Sequence, residues 1–147
     1  MKPSLKAGIE FEFTYRVPES KTVPALYPEA EEFQLMPQVL ATGFLVGLLE
    51  WACVKALHPH LDWPDEQTLG THINISHEAP TPPGFEVKAR VKLTEVDGRR
   101  LFFYVEADDG KDVISRGTHE RYVVDKARFV EKVNQKRAGS LKGLGSA

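Results

Sequence analysis

Residues 42–57 read Thr42-Gly43-Phe44-Leu45-Val46-Gly47-Leu48-Leu49-Glu50-Trp51-Ala52-Cys53-Val54-Lys55-Ala56-Leu57. This stretch predicts a helix. Thr42 is a good N-cap and Gly43 opens the first turn, while Pro59 disfavours further helix beyond His58. The body from Phe44 to Val54 is apolar nearly all round, which predicts a helix buried on most sides. Glu50 conflicts with that pattern. Burying an unpaired carboxylate costs several kcal/mol, on the order of a domain's whole net stability. Glu50 therefore either lies on a wet strip or pairs structurally with an arginine, or it serves as a base or nucleophile in a pocket.

Upstream of this helix, residues 9–17 alternate: Ile9, Phe11, Phe13, Tyr15 and Val17 against Glu10, Glu12, Thr14 and Arg16. That is a strand with one wet face. Between them, Pro18, Pro24, Pro28 and Pro37 mark a long loop whose apolar residues suggest that it covers something. Downstream, Ile73, Ile75 and His77 share one face of a strand at 71–78. Phe85, Val87, Ala89, Val91 and Leu93 form one inward row, and Leu101, Phe103, Val105 and Ala107 form the next. Asp97-Gly98 and Asp109-Gly110 mark hairpin turns, and residues 112–124 complete the meander. A short helix is expected near 125–135. An apolar helix is buried only where a curved sheet wraps it, so the expected architecture is α+β: an antiparallel sheet around one long central helix. The hot-dog fold has this layout. One domain is expected over 1–137, followed by a flexible Gly/Ser tail at 138–147.

The 147 residues suit one domain. A net charge of −2 gives no global basic field, which argues against nucleic acid as a partner. The local excess of Lys126, Arg128, Lys132, Lys136, Arg137 and Lys142 is either a solvated basic tail or an attraction for an anionic ligand. Cys53, the single cysteine, rules out an intrachain disulfide and fits a reducing cytoplasm. The stretch from Gly43 to Leu49 is too short to span a bilayer, and no signal-peptide core is visible.

Three further residues could carry chemistry. His77 continues the inward row of Ile73 and Ile75, so it is either a satisfied core histidine or the partner of a carboxylate on the facing helix. Thr42 caps the helix, whose free N–H groups and positive dipole end suit an oxyanion. Gly43 lets a carbonyl approach its own N–H. Arg121, on the last strand, is a surface charge or a partner that keeps a carboxylate ionised. Thr42 and Glu50 stand eight residues apart, roughly 12 Å along a helix axis and about 80° around it. They cannot meet within one helix, whereas two antiparallel helices across a twofold axis can bring them together. A metal site at His58, His60 and Asp62 lacks a second ligand cluster. Cys53 reads as core. No nucleophile elbow or P-loop occurs.

Leu26-Tyr27-Pro28-Glu29, the block Ala41–Val54, Leu69-Gly70-Thr71 and Gly117-Thr118-His119-Glu120-Arg121 resemble the fluoroacetyl-CoA thioesterases, from about residue 7 to residue 137. The resemblance implies a hot-dog hydrolase of small acyl-CoA thioesters, with sites at a homodimer interface (a dimer, or a dimer of dimers) and no cofactor. It matches Thr42, Glu50 and His77 to the family's catalytic threonine, glutamate and histidine. Gly70 and Arg121 match residues near that site, and Phe33 matches a residue of the pocket lid. Fluoroacetyl-selective members carry a phenylalanine gate where this chain has Met36. Methionine is a flexible gate, so a broader or different short acyl group is expected. The Asp-x4-His pattern of hot-dog hydratases is missing. The alternative is a non-catalytic acyl-CoA sensor; such proteins usually carry a DNA-binding helix-turn-helix, for which this chain has no room.

Overall fold

The computed structural model describes residues 1–146, with side chains described through residue 139. Strand β1 (Glu10–Arg16) leads into a 3-10 turn (Glu19–Lys21) and two short helices, α1 (Val23–Leu26) and α2 (Glu31–Gln34). The long helix α3 (Thr42–Leu57) follows, then a 3-10 turn (His58–His60). Strands β2 (Glu66–Ile75), β3 (Glu86–Asp97), β4 (Arg100–Asp108) and β5 (Val113–Asp125) come next, and α4 (Lys126–Ser146) closes the order. The strands form one antiparallel sheet in the order β1-β3-β4-β5-β2.

Period-two alternation sets the inner face. Val87, Ala89, Val91 and Leu93 of β3 and Leu101, Phe103, Val105 and Ala107 of β4 are 3% exposed or less, as their rows predict. The alternate positions carry ion pairs such as Arg16–Glu86 and Lys92–Glu10. Helix α3 lies on the inner face and buries Leu45, Leu48, Leu49, Ala52, Cys53, Ala56 and Leu57. Each large aliphatic side chain so buried contributes about 1.5–3 kcal/mol against exposure. The predicted α+β architecture, one long helix on one antiparallel sheet, is what forms.

The sheet covers only one side of α3, which corrects the expectation of burial on most sides. Trp51 is 46% exposed and rests edge-on against Phe13 and Tyr15. On that side Trp51, Gly43 and Gly47 stay exposed despite contacts with β1 and with Leu26. The proline-rich segment is not a plain loop, because three short helical turns form in it. Pro24 sits in the first turn of α1, where its missing N–H costs nothing. Strand β2 starts at Glu66, earlier than expected, and its regular ladder ends at Ile75. The amides of Ser76 and Glu78 still bond the carbonyls of Arg116 and Ile114, which keeps His77 in register. The β3–β4 loop is Gly98-Arg99, one residue later than read, since Asp97 still pairs with Arg100 and Gly98 takes φ 59°. Helix α4 continues to Ser146, past the short helix expected near 125–135 and through most of the expected Gly/Ser tail. Its Lys, Arg, Glu, Gln and Ala content favours helix. Residue 147 lies outside the described residues.

Candidate active site

Thr42 is the first residue of α3 and not its cap. Ala41 holds the N-cap position in an extended conformation, and no side chain caps the end. The first intrahelical bond runs from the Leu45 amide to the Ala41 carbonyl. The amides of Thr42, Gly43 and Phe44 therefore lie ahead of the helical ladder at its positive end. Released from capping, the Thr42 hydroxyl lies 2.7 Å from His77 Nδ1. Burial holds the His77 imidazole below the ordinary histidine range, so the ring is neutral and Nδ1 can accept the Thr42 proton. The proton of that tautomer then sits on Nε2, which is buried and has no hydrogen-bond partner among the described residues.

Glu50 stands in a second constellation. Its carboxylate lies 3.0 Å from Arg121 Nη1. Of the readings open for Glu50, pairing with an arginine is present, and the Glu50 side chain is 39% exposed while its partner arginine is only 5%. The cation is the buried member, and four of its five N–H groups have partners. Arg121 Nε and Nη2 donate to Thr68 Oγ1 and the Thr68 carbonyl at 2.8 Å each. Nη1 also lies 3.1 Å from His119 Nε2. Gly70 pairs with Arg121 across the ladder, just before a register shift between Gly70 and His72. A Cβ at Gly70 would collide with Glu50 Oε1, so this position needs glycine for close approach and not for turn geometry. A cleft of about 370 Å³ opens beside Glu50, lined by Val46, Gly70, Thr71, His72, Ile73 and His119.

The chain thus joins Thr42 with His77, and joins Glu50 with Arg121 and Gly70, as two separate groups. Neither Phe33 nor Met36 lines the cleft beside Glu50. Phe33 lies 6.3 Å from Tyr27 between ring centroids, and Met36 is 46% exposed. Gly43 packs under Leu26, whose Cδ1 would stand 3.0 Å from a Cβ there. Sequence reasoning missed His119 as a site residue. The signal was available: His119 and Arg121 are two apart on a strand and so share a face. Among the described residues no group of three or more His, Cys, Asp or Glu side chains is placed to hold a metal ion. His60 bonds Ser4 and His58 lies against Trp63.

Residues 17–127 match the family model described as "FlK: Fluoroacetyl-CoA-specific thioesterase". The fluoroacetyl-CoA thioesterase of Streptantibioticus cattleyicolor is 50% identical over 136 residues, covering 92% of this chain and 97% of that protein. A solved structure of the fluoroacetyl-CoA thioesterase superposes with a TM-score of 0.88 at 50% identity, over 90% of this chain and 98% of that one. A hot-dog-like protein from Thermanaerovibrio acidaminovorans, 21% identical, superposes with a TM-score of 0.74 over 92% of this chain and 93% of its own, and so shares the fold. The hot-dog architecture and the motifs around Thr42, Gly70 and Arg121 thus have one explanation: the chain belongs to the fluoroacetyl-CoA-specific thioesterase family.

Proposed function

We propose that two copies of the chain complete each active site, with Thr42 and His77 from one protomer and Glu50 from the other, and that the site hydrolyses short acyl-CoA thioesters. Acyl-CoA thioester hydrolysis is the activity of the family. The observation that carries the composite site is the separation itself: Thr42 and His77 pair with each other, while the half-exposed Glu50 carboxylate stands in a different group with Arg121. Positions 42 and 50 of α3 are centred on Val46. Gly47 beside it has open space where a side chain would sit. A second α3 crossing antiparallel there would set position 42 of one helix opposite position 50 of the other. Glu50 of one copy then lies beside the Thr42–His77 pair of the other.

In this arrangement His77 takes a proton at Nδ1, either from Thr42 Oγ1 or from a water held there. The oxygen so activated forms a bond to the thioester carbonyl carbon, and the carbonyl π pair moves to oxygen. The amide of Gly43, at the positive end of α3, stabilises that oxyanion. Its collapse breaks the C–S bond, and His77 returns the proton to the departing CoA thiolate. Attack by Thr42 leaves an acyl-threonine that a water clears by the same proton path; attack by water gives the free acid at once. Rapid-quench mass spectrometry separates the two routes, through an acyl adduct on Thr42 in the first and none in the second. Gly70 and Arg121 shape and charge the Glu50 side. Phe33 and Met36 form the acyl-facing lid, and flexible Met36 widens acyl choice beyond fluoroacetyl. CoA as substrate and a lone buried cysteine suit a cytoplasmic setting; among the described residues no helix is long and apolar enough to cross a membrane.

The test is thiol release from a panel of acetyl-, fluoroacetyl- and propionyl-CoA, together with the solution mass. Turnover by a dimer or a dimer of dimers is expected. Binding without thiol release would move the reading to an acyl-CoA sensor, and full activity in a monomer would end the composite site.

A further inference from the structure

We propose that His119 is a positioning residue for hydrolysis: the lone pair on its Nε2 holds the Arg121 guanidinium so that the other Nη1–H meets the Glu50 carboxylate. The proposal rests on the role assigned to Glu50 above.

His119 is 2% exposed. Its Nδ1 lies 2.7 Å from the carbonyl of His72, at the register shift in β2. A carbonyl only accepts, so Nδ1 carries the proton. Arg121 Nη1, 3.1 Å from Nε2, only donates, so Nε2 is bare. The two neighbours together fix one neutral tautomer. Burial, with Arg121 beside the ring, holds His119 below the ordinary histidine range, consistent with that state. Nη1 has two hydrogens and both are used, one on His119 and one on Glu50 at 3.0 Å. The Nε and Nη2 bonds to Thr68 fix the far side of the fork. Remove the acceptor at Nε2 and a buried N–H is left unpaired. That unpaired N–H is relieved only by a turn of the whole planar guanidinium, which strains its Thr68 bonds and shifts the N–H that holds the Glu50 carboxylate in place. A histidine needed only for packing would show none of this, because phenylalanine has nearly its shape.

Two measurements test the assignment. Long-range 1H–15N spectra of the labelled wild-type protein near neutral pH should show His119 protonated on Nδ1 and bare on Nε2. A proton on Nε2 overturns the proposal whatever the enzyme does. In kinetics, His119→Phe should lower kcat on the order of tenfold to a hundredfold, the scale of a small misplacement at a reacting centre, with KM little changed. His119→Gln, whose side-chain oxygen can accept the Arg121 N–H, should restore most of kcat. Wild-type kcat in the folded phenylalanine variant overturns the proposal, and so does an equal loss in both variants. Should the phenylalanine variant not fold, the tautomer and the glutamine variant decide: a glutamine variant with most of wild-type kcat supports the role, and one without it ends it. Absence of thiol release by the wild type would sink the hydrolysis reading and leave the tautomer to decide for His119.

Discussion

Gly70 and Glu50 approach so closely that any Cβ at position 70 would collide with the carboxylate oxygen that Arg121 holds, while Arg121 Nη1 and His119 Cε1 would each stand 3.3 Å away. The neighbour that must yield is the end of a glutamate side chain, and Glu50 is half exposed. Gly70→Ala should therefore fold with little change in Tm and yet lose kcat by roughly tenfold or more, because the carboxylate is displaced without the sheet being disturbed. A large drop in Tm with unchanged kcat would contradict this. The contrast is Gly117, where a Cβ would meet backbone atoms of Asn74 and Ile75. Backbone cannot swing aside, so Gly117→Ala should destabilise the chain broadly.

The separation of Thr42–His77 from Glu50–Arg121 predicts complementation between two dead enzymes. Thr42→Ala and Glu50→Gln should each lower turnover by about a hundredfold or more, the scale of losing a nucleophile or base. Mixed and re-equilibrated in equal amounts, half of the dimers carry both variants. Each mixed dimer has one site with both defects and one with neither, so about a quarter of wild-type activity should return. No recovery, with subunit exchange shown by mass, would place all the catalytic groups in one chain.

Much of this was legible in the sequence, for reasons that differ by element. The inward rows of β3 and β4 could be read because alternation is a local signal that the sheet preserves. The boundaries of α3 could be read because Pro59 and the long apolar run are local too. Enclosure of α3 could not, because an apolar residue does not say whether sheet, lid or second copy covers it, and Trp51 and Gly47 stay exposed in the single chain. Thr42 was read as a cap on residue type, whereas the competing acceptor, His77, stands 35 positions away. Nor could the sequence say which member of the Glu50–Arg121 pair is buried. Burial followed β5, whose inward face carries His119 and Arg121 together.

The neutral histidines predict a pH dependence of stability. His77 and His119 are both held below their ordinary value, first of all by burial. The unfolded chain binds their protons as pH falls through about 6.5, while the folded chain does not until lower pH. Their contribution to stability is therefore fully present above that pH and is lost on acidification through the folded values. Tm should be flat from about pH 7 to 8 and fall on acidification below about 6.5. The acid limb of kcat/KM should lie below the ordinary histidine value. His77→Gln should remove part of the acid-induced fall. A Tm that rises on acidification through this range contradicts the assignment of neutral rings.

Cys53 provides a check on the integrity of α3 and on the thiol assay itself. It is the single cysteine. Burial pushes its thiol up to about 12, with Arg121 lowering it and Glu50 raising it to a smaller degree. Only the thiolate reacts with a dithiol reagent, so the native protein at pH 8 should give almost no signal. Denaturant should release one thiol per chain. Any colour in the presence of acyl-CoA then comes from CoA alone. Because Cys53 lies three residues after Glu50 on the same helix, fast labelling of the native protein would mean that α3 lifts from the sheet. In that event the Arg121–Glu50 contact would not persist long enough to hold a carboxylate in place for a reaction.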